Sequence, residues 1–422
     1  MSDKIVYLEI NGVSTPIGRI HDVEDEGACF SYAKEYLESS NPKAISVSLP
    51  LARRDFSAEE TKVFFDGLLP EGFTRREVAR QLHADEADYL TILSGLGKEC
   101  IGGVRILQEN EPSPEAAYEE LTMEQIKSLA EEGVAKSVEI VTNTHLSLTG
   151  ASGKVGLYQD ANSGKWYLPY GDAPSTHIIK QSHVRLEDIV INEQMMMLTA
   201  AELGLDTVES NILNCGGGAD HEILFATKRY DRCFPKKKVK IGGLARPNRL
   251  HQEDFAQAMG IPSAEKYETT DQGYLKRMFD IVRQNSSDPL RDQIELWDRI
   301  VFNFLIGNTD AHIKNFSLLY DEGMNRIRLA PAYDMISTVV YSESTRNMSF
   351  YIGGEVNLDR ITDSCFEKAS AEAGIGRALA MSRVEKMRSE IGPALKKARG
   401  RLNSSGFPGA DRVYKQVIQG LH

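Results

Sequence analysis

The chain has 422 residues, 41% hydrophobic and 26% charged, with a formal net charge of −12. That length exceeds what one hydrophobic core usually serves, so more than one domain is expected, and the acidic balance excludes a global pull toward nucleic acid or anionic membrane. The five cysteines (Cys29, Cys100, Cys215, Cys233, Cys365) never stand in C-x-x-C spacing, which argues against a disulfide framework or zinc site and for a reducing compartment.

No apolar h-region follows Met1, and no run approaches the roughly 20 apolar residues of a bilayer span. A cytoplasmic protein without membrane contact is expected. Residues 5–10 alternate in hydropathy, turn at Asn11-Gly12 and resume over 17–20. Asn-Gly between alternating runs predicts a hairpin, because both residues accept positive φ. Residues 29–37 and 44–51 read as further strands. Ser57-Ala58-Glu59-Glu60 matches a capping box and opens a helix whose apolar face includes Val63, Phe64 and Leu68. Helices at 73–82 and near 87–96 and a strand at 104–108 complete an α+β domain over 1–108.

Residues 109–115 are acidic with two prolines, so a linker is expected, leading into a helix at 122–132. The linker and helix occupy 109–140. Residues 141–250 read as β-rich, interrupted by a helix at 186–203. From 251 to 422 the pattern is helical except for a hairpin after Asn315. The expected class is α+β, with the bilobal layout of a protein kinase: a β-rich N-terminal lobe and an all-helical C-terminal lobe.

The densest chemistry lies at 307–320, where a helix gives way to a strand. Asp310, His312, Lys314 and Asn315 fall within it. Asp310 and Asn315 stand five apart, the spacing of the catalytic-loop Asp and metal-binding Asn in protein kinases, and a strand pair then delivers Asp334. The expectation is an ATP–magnesium phosphotransferase. Asp310 would be the general base for a hydroxyl, Asn315 and Asp334 oxygen ligands to Mg2+, and His312 or Lys314 the cation facing the transferred phosphate.

Upstream, Ser147-Leu148-Thr149-Gly150-Ala151-Ser152-Gly153-Lys154 joins two expected strands. Its glycines let backbone N–H groups approach phosphate oxygens, though the spacing is not that of a Walker A motif. Thr149, Gly150, Ala151, Ser152, Gly153 and Lys154 are therefore candidate ATP contacts. Lys180 ends an apolar strand and suits the α- and β-phosphates, with Glu193 on the following helix as its partner. The backbone of Lys228, Arg229 and Tyr230 comes where a hinge against the adenine edge belongs, with the Tyr230 ring against its face. The order along the chain, Gly loop, lysine, helix glutamate, strand, catalytic loop and metal Asp, is that of kinases.

With these motifs in place the chain resembles the HipA family, the serine/threonine kinase toxins of bacterial toxin–antitoxin modules. The stretches that carry the resemblance are 64–72, 147–154, 176–180, Asn192-Glu193, 229–232, Gln252-Glu253-Asp254, Lys266-Tyr267-Glu268, 309–316 and Tyr333-Asp334, in family order over most of the chain. The resemblance implies a HipA-type N-terminal domain joined to a kinase-like fold binding ATP and magnesium. It implies Ser147 as a site of autophosphorylation and a protein substrate, with an aminoacyl-tRNA synthetase as one candidate. It also implies a small helix-turn-helix antitoxin of the HipB kind, the pair binding operator DNA and repressing its own operon. Ser152 stands where family members often carry Gln. The competing expectations are a small-molecule kinase and a non-catalytic corepressor or scaffold.

Overall fold

The computed structural model describes residues 3–25, 27–97, 99–109, 115–132, 154–182, 186–237 and 239–422. It divides into two compact units, each discontinuous in sequence. The first comprises residues 1–181, 228–263 and 319–326, the second 182–227, 264–318 and 327–422.

The first unit opens on an antiparallel sheet in the order Gly27–Tyr32, Val13–Val23, Lys4–Ile10, Val104–Gln108. Asn11 and Gly12 make the first turn with φ of 52° and 74°, the left-handed pair that matches hairpin twist. The Ser57–Glu60 capping box forms as expected and starts Ala58–Asp66. Gly72–Gln81 and Tyr89–Leu96 follow. Phe30, Tyr32, Phe56, Phe64 and Phe65 are buried together, with ring centroids 4.9–6.0 Å apart for the Phe30 and Tyr32 contacts to Phe56 and Phe65 and to each other.

Residues 44–51, expected as a strand, form none. Ile45 N–H donates to Tyr32 Oη at 2.9 Å, Val47 N–H to Glu253 Oε1 at 3.1 Å, and Leu49 N–H to Ser46 O at 3.2 Å. Two buried side chains thus take the donors a neighbouring strand would have taken, satisfying the backbone without a ladder. The expected strand at 29–37 likewise stops at Tyr32, and Lys34–Leu37 turns into a short helix. The same unit holds a second antiparallel set in which Lys154–Gln159 pairs with both Trp166–Tyr170 and His177–Gln181, and Trp166–Tyr170 with Ala117–Glu120.

The second unit is built on helices Ile189–Glu202, Tyr274–Asn285, Pro289–Leu305, Asp363–Ala373, Arg377–Ser404 and Ala410–Gln419. Trp297 is its buried centre: it lies within 6.0 Å of Phe366 and 6.5 Å of Phe279, and its Nε1 donates to Ala380 O at 3.2 Å. This part of the chain is less purely helical than expected. Asn347–Ile352 and Glu355–Asn357 form an antiparallel pair, turned at Gly353 and Gly354 with φ of 59° and 81°. The period-two pattern was present in the sequence, but it is short and lies between long helical stretches.

Candidate active site

Helix Pro289–Leu305 starts on an Asp288 N-cap with proline in its first turn and runs into the core along Leu296, Trp297, Ile300, Val301 and Phe304. Gly307 ends it with φ 64°. A β-carbon there would collide with Val339 Cγ2, so only glycine turns the chain at this point. The following loop is pinned along its length. Asn308 Nδ2 donates to Asn303 Oδ1 at 2.9 Å, Thr309 N–H to Thr338 Oγ1 at 2.8 Å, and Ser349 Oγ to Thr309 O at 2.7 Å.

Asp310 follows and is exposed. Its backbone carbonyl accepts from the His312 N–H at 2.8 Å and from Asn315 Nδ2 at 3.1 Å. The Asn315 amide nitrogen is thereby committed to the loop, so the amide oxygen is the atom suited to a hard cation. Asp310 Oδ1 accepts a 2.5 Å hydrogen bond from Tyr267 Oη. His312 is buried, its ring edge-on to Tyr267 at 5.2 Å. Burial first, then the positive charges of Lys266 and Lys314, hold its pKa well below the ordinary imidazole value, with Asp334 opposing in part. The imidazole is neutral at neutral pH. Lys314, the other residue expected to face the phosphate, is buried in the same loop. Lys314 O also accepts from Tyr333 Oη at 3.0 Å, which ties the loop to the residue before Asp334.

Asp334 sits at φ 58°. The chain reaches it through Ala332, which forms a parallel bridge to Thr207, with Val208 N–H on Ala332 O at 3.0 Å. Beyond it, Asn192 grips Ser337 twice: Nδ2 donates to Ser337 O at 2.9 Å and Oδ1 accepts from Ser337 N–H at 3.0 Å. Thr338 Oγ1 in turn lies 2.9 Å from Gly307 O. The Asp310 and Asp334 loops are therefore bound to each other through Gly307, Thr309 and Thr338. Asn192 and Tyr267 both stand in stretches that carried the family resemblance, but the sequence assigned neither a task; Asn192 is fully buried. Glu193 is buried beside it on Ile189–Glu202.

The remaining candidates lie in the first unit or outside the described residues. Lys154 and Lys180 are directly opposite in the antiparallel register. At the expected hinge, the Arg229 side chain points into the interior. Its guanidinium is buried, with Nε 2.9 Å and Nη2 2.7 Å from the Asp231 carboxylate and Nη1 3.0 Å from Ser175 Oγ, while its N–H donates to Thr176 O at 2.8 Å. The guanidinium, enclosed by these partners, belongs to the interior, whereas the hinge expectation concerns the backbone of residues 228–230. Tyr230 Oη donates to Gln252 Oε1 at 2.5 Å, and Lys228 is exposed. Ser147, Thr149, Gly150, Ala151, Ser152 and Gly153 lie outside the described residues. Among those described, no cluster of three or more His, Cys, Asp or Glu is arranged to hold a metal, and no helix is long and apolar enough to cross a membrane.

Two pinned loops bearing an Asp–Asn pair and a second Asp, in an α+β kinase-like fold, define the class. Family models match at both ends: a HipA N-terminal domain over residues 8–107 and a HipA-like C-terminal domain over residues 146–395. The chain belongs to the HipA family. Among its relatives, the protein named "Putative kinase Y4mE" of Sinorhizobium fredii is 32% identical over 84% of this chain and 83% of its own length. The serine/threonine-protein kinase toxin HipA of Shewanella oneidensis is 24% identical over 93% of this chain and 89% of its own. The solved Shewanella oneidensis complex of HipA, HipB and operator DNA aligns with a TM-score of 0.78 at 20% identity, covering 98% of this chain and 96% of that one.

Proposed function

We propose that this protein is an ATP-dependent protein serine/threonine kinase and the toxin of a toxin–antitoxin pair. The observation that supports it best is the hydrogen-bonded union of the Asp310 and Asp334 loops through Gly307, Thr309 and Thr338, in a chain whose relatives are named kinases. In this reading Asp310 accepts the proton of the acceptor hydroxyl. That oxygen bonds to the γ-phosphorus as the bond to the bridging oxygen breaks and ADP departs. Lys314 faces the transferred group. The Asn315 amide oxygen and the Asp334 carboxylate would hold magnesium, an all-oxygen pair that suits a cation retaining water and substrate phosphates among its ligands. Magnesium there would neutralise charge on the phosphates. Lys154 and Lys180, partners in the antiparallel register, are the lysines that would reach the phosphates of ATP.

Ser147 would be the autophosphorylation site, and the phosphate's negative charge would repel those of ATP and so switch the enzyme off. The partners would be a protein substrate, a small helix-turn-helix antitoxin and, through it, operator DNA; the Shewanella complex joins HipA, HipB and operator DNA. The test is mass spectrometry of protein incubated with ATP and magnesium, beside Asp310→Asn. One added phosphate at Ser147, lost in the variant or slowed by roughly 10²–10⁴-fold, is expected. Failure of the wild type to bind or consume ATP would overturn the reading in favour of a scaffold. Transfer confined to small molecules of a cell extract would redirect it to a metabolite kinase.

A further inference from the structure

Tyr267 has no task in the reading above, yet it is the residue whose side chain meets Asp310 with a hydrogen bond of 2.5 Å. The residue is 42% exposed, so packing alone does not account for the contact. The surroundings hold the ring in place. One edge contact goes to His312 at 5.2 Å and 83°, and the Lys266 ammonium lies 5.4 Å from the ring centroid. The backbone beside it is more firmly set. Glu268 N–H donates to Ser349 O at 2.8 Å, and the buried Glu268 carboxylate accepts from the N–H groups of Gln272 (2.6 Å), Tyr274 (3.1 Å) and Tyr351 (2.9 Å). A residue anchored on both sides and aimed at an exposed aspartate is built to stay there.

We propose that Tyr267 is a positioning residue for the base: its hydroxyl fixes the Asp310 carboxylate in the orientation that receives the acceptor's proton. The inference rests on the kinase reading of Asp310. A phenol donating to a carboxylate also imitates an incoming hydroxyl, and one that blocked the base would have to leave before each turnover. The neutral His312 ring and the Glu268 clamp argue for a fixed post, because departure would break the ring contact and leave the clamp without a purpose at this position.

Tyr267→Phe keeps the ring against His312 and Lys266 and removes only the hydroxyl. Steady-state phosphorylation should show kcat lowered about tenfold, the worth of one hydrogen bond to a charged group, with KM for ATP unchanged within about twofold. In protein labelled with carboxyl-¹³C aspartate, the Asp310 signal, assigned by its absence in Asp310→Asn, should move in Tyr267→Phe. An unchanged or raised kcat, or an unmoved Asp310 signal, overturns the proposal. Absence of phosphoryl transfer by the wild type overturns the kinase reading and this role with it. Transfer by the wild type with an indifferent Tyr267→Phe overturns the role alone.

Discussion

Asp334 occupies the left-handed region at φ 58°, a conformation that costs an ordinary L-residue about 1–2 kcal/mol and that Asp and Asn tolerate best. Strain of this kind persists where neighbours over-determine it, as the Ala332 bridge and the Asn192 grip on Ser337 do here. Asp334→Asn keeps the conformational tolerance and loses the charge. Its denaturation midpoint should stay near that of the wild type while phosphoryl transfer falls roughly 100-fold or more; an active variant would remove Asp334 from the metal site. Glu253 carries a different prediction. Burial pushes its carboxyl up to about 7, only partly offset by donors from Ser46 Oγ, Tyr320 Oη and Val47 N–H. A buried acid with a raised pKa holds its proton longer folded than unfolded. Its contribution is therefore fully present below about 4.5, the ordinary value, and is lost as pH rises through about 7. Urea unfolding from pH 4.5 to 8 should show the wild type losing of order 3 kcal/mol relative to Glu253→Gln; a pH-independent difference would refute it.

At the scale of elements, the site depends on how helices end and loops are tied. Helix Ile189–Glu202 presents the fully buried Asn192 to the backbone of Ser337, so it acts as a brace for the loop that follows Asp334. Asn192→Ala leaves a buried N–H and C=O without those partners, at a cost of about 1–3 kcal/mol. Hydrogen–deuterium exchange should accelerate at residues 335–338 more than elsewhere in the second unit, and kcat should drop. Uniformly faster exchange would mean a general loss of stability and no local brace.

At the scale of the whole molecule, the first unit gathers distant stretches of sequence around buried charge. Arg249, fully enclosed, lies 3.1 Å from Glu9 Oε2 and 3.0 Å from Asp172 Oδ1, and Arg246 lies 2.9 Å from Glu9. Burial by itself would raise the Glu9 carboxyl; Arg249 and Arg246 outweigh it and hold it at about 2. Such pairs are expensive to bury and more expensive to break. Arg249→Met removes the shared cation, leaving Glu9 with Arg246 and Asp172 with Arg105, and should destabilise the protein by about 3 kcal/mol, with Glu9→Gln in the same chain restoring part of it. Strict additivity of the two changes in chemical denaturation would show that the residues are not coupled.

Local chemistry made much of this legible in advance. Asn11-Gly12 admits little but a hairpin, Ser57 with Glu60 caps a helix wherever that pattern meets an apolar run, and a glycine after Leu305-Ile306 marks where the helix stops and the Asp310 loop begins. These are interactions between residues a few positions apart, so the sequence alone determined them, along with the α+β class and the family. What the tertiary structure decided involves partners far along the chain. Residues 44–51 have strand-like composition but meet Tyr32 and Glu253, which take their backbone donors. The Arg229 side chain pairs with Asp231 in the interior, a burial that its place in the sequence does not announce. His312 reads as a cation and is neutral, because burial beside two lysines disfavours its charge. Asn192 and Tyr267 reach across 145 and 43 positions to the loops they hold. Desolvation and pairing at such separations depend on which surfaces the fold encloses, and a linear pattern carries no record of that.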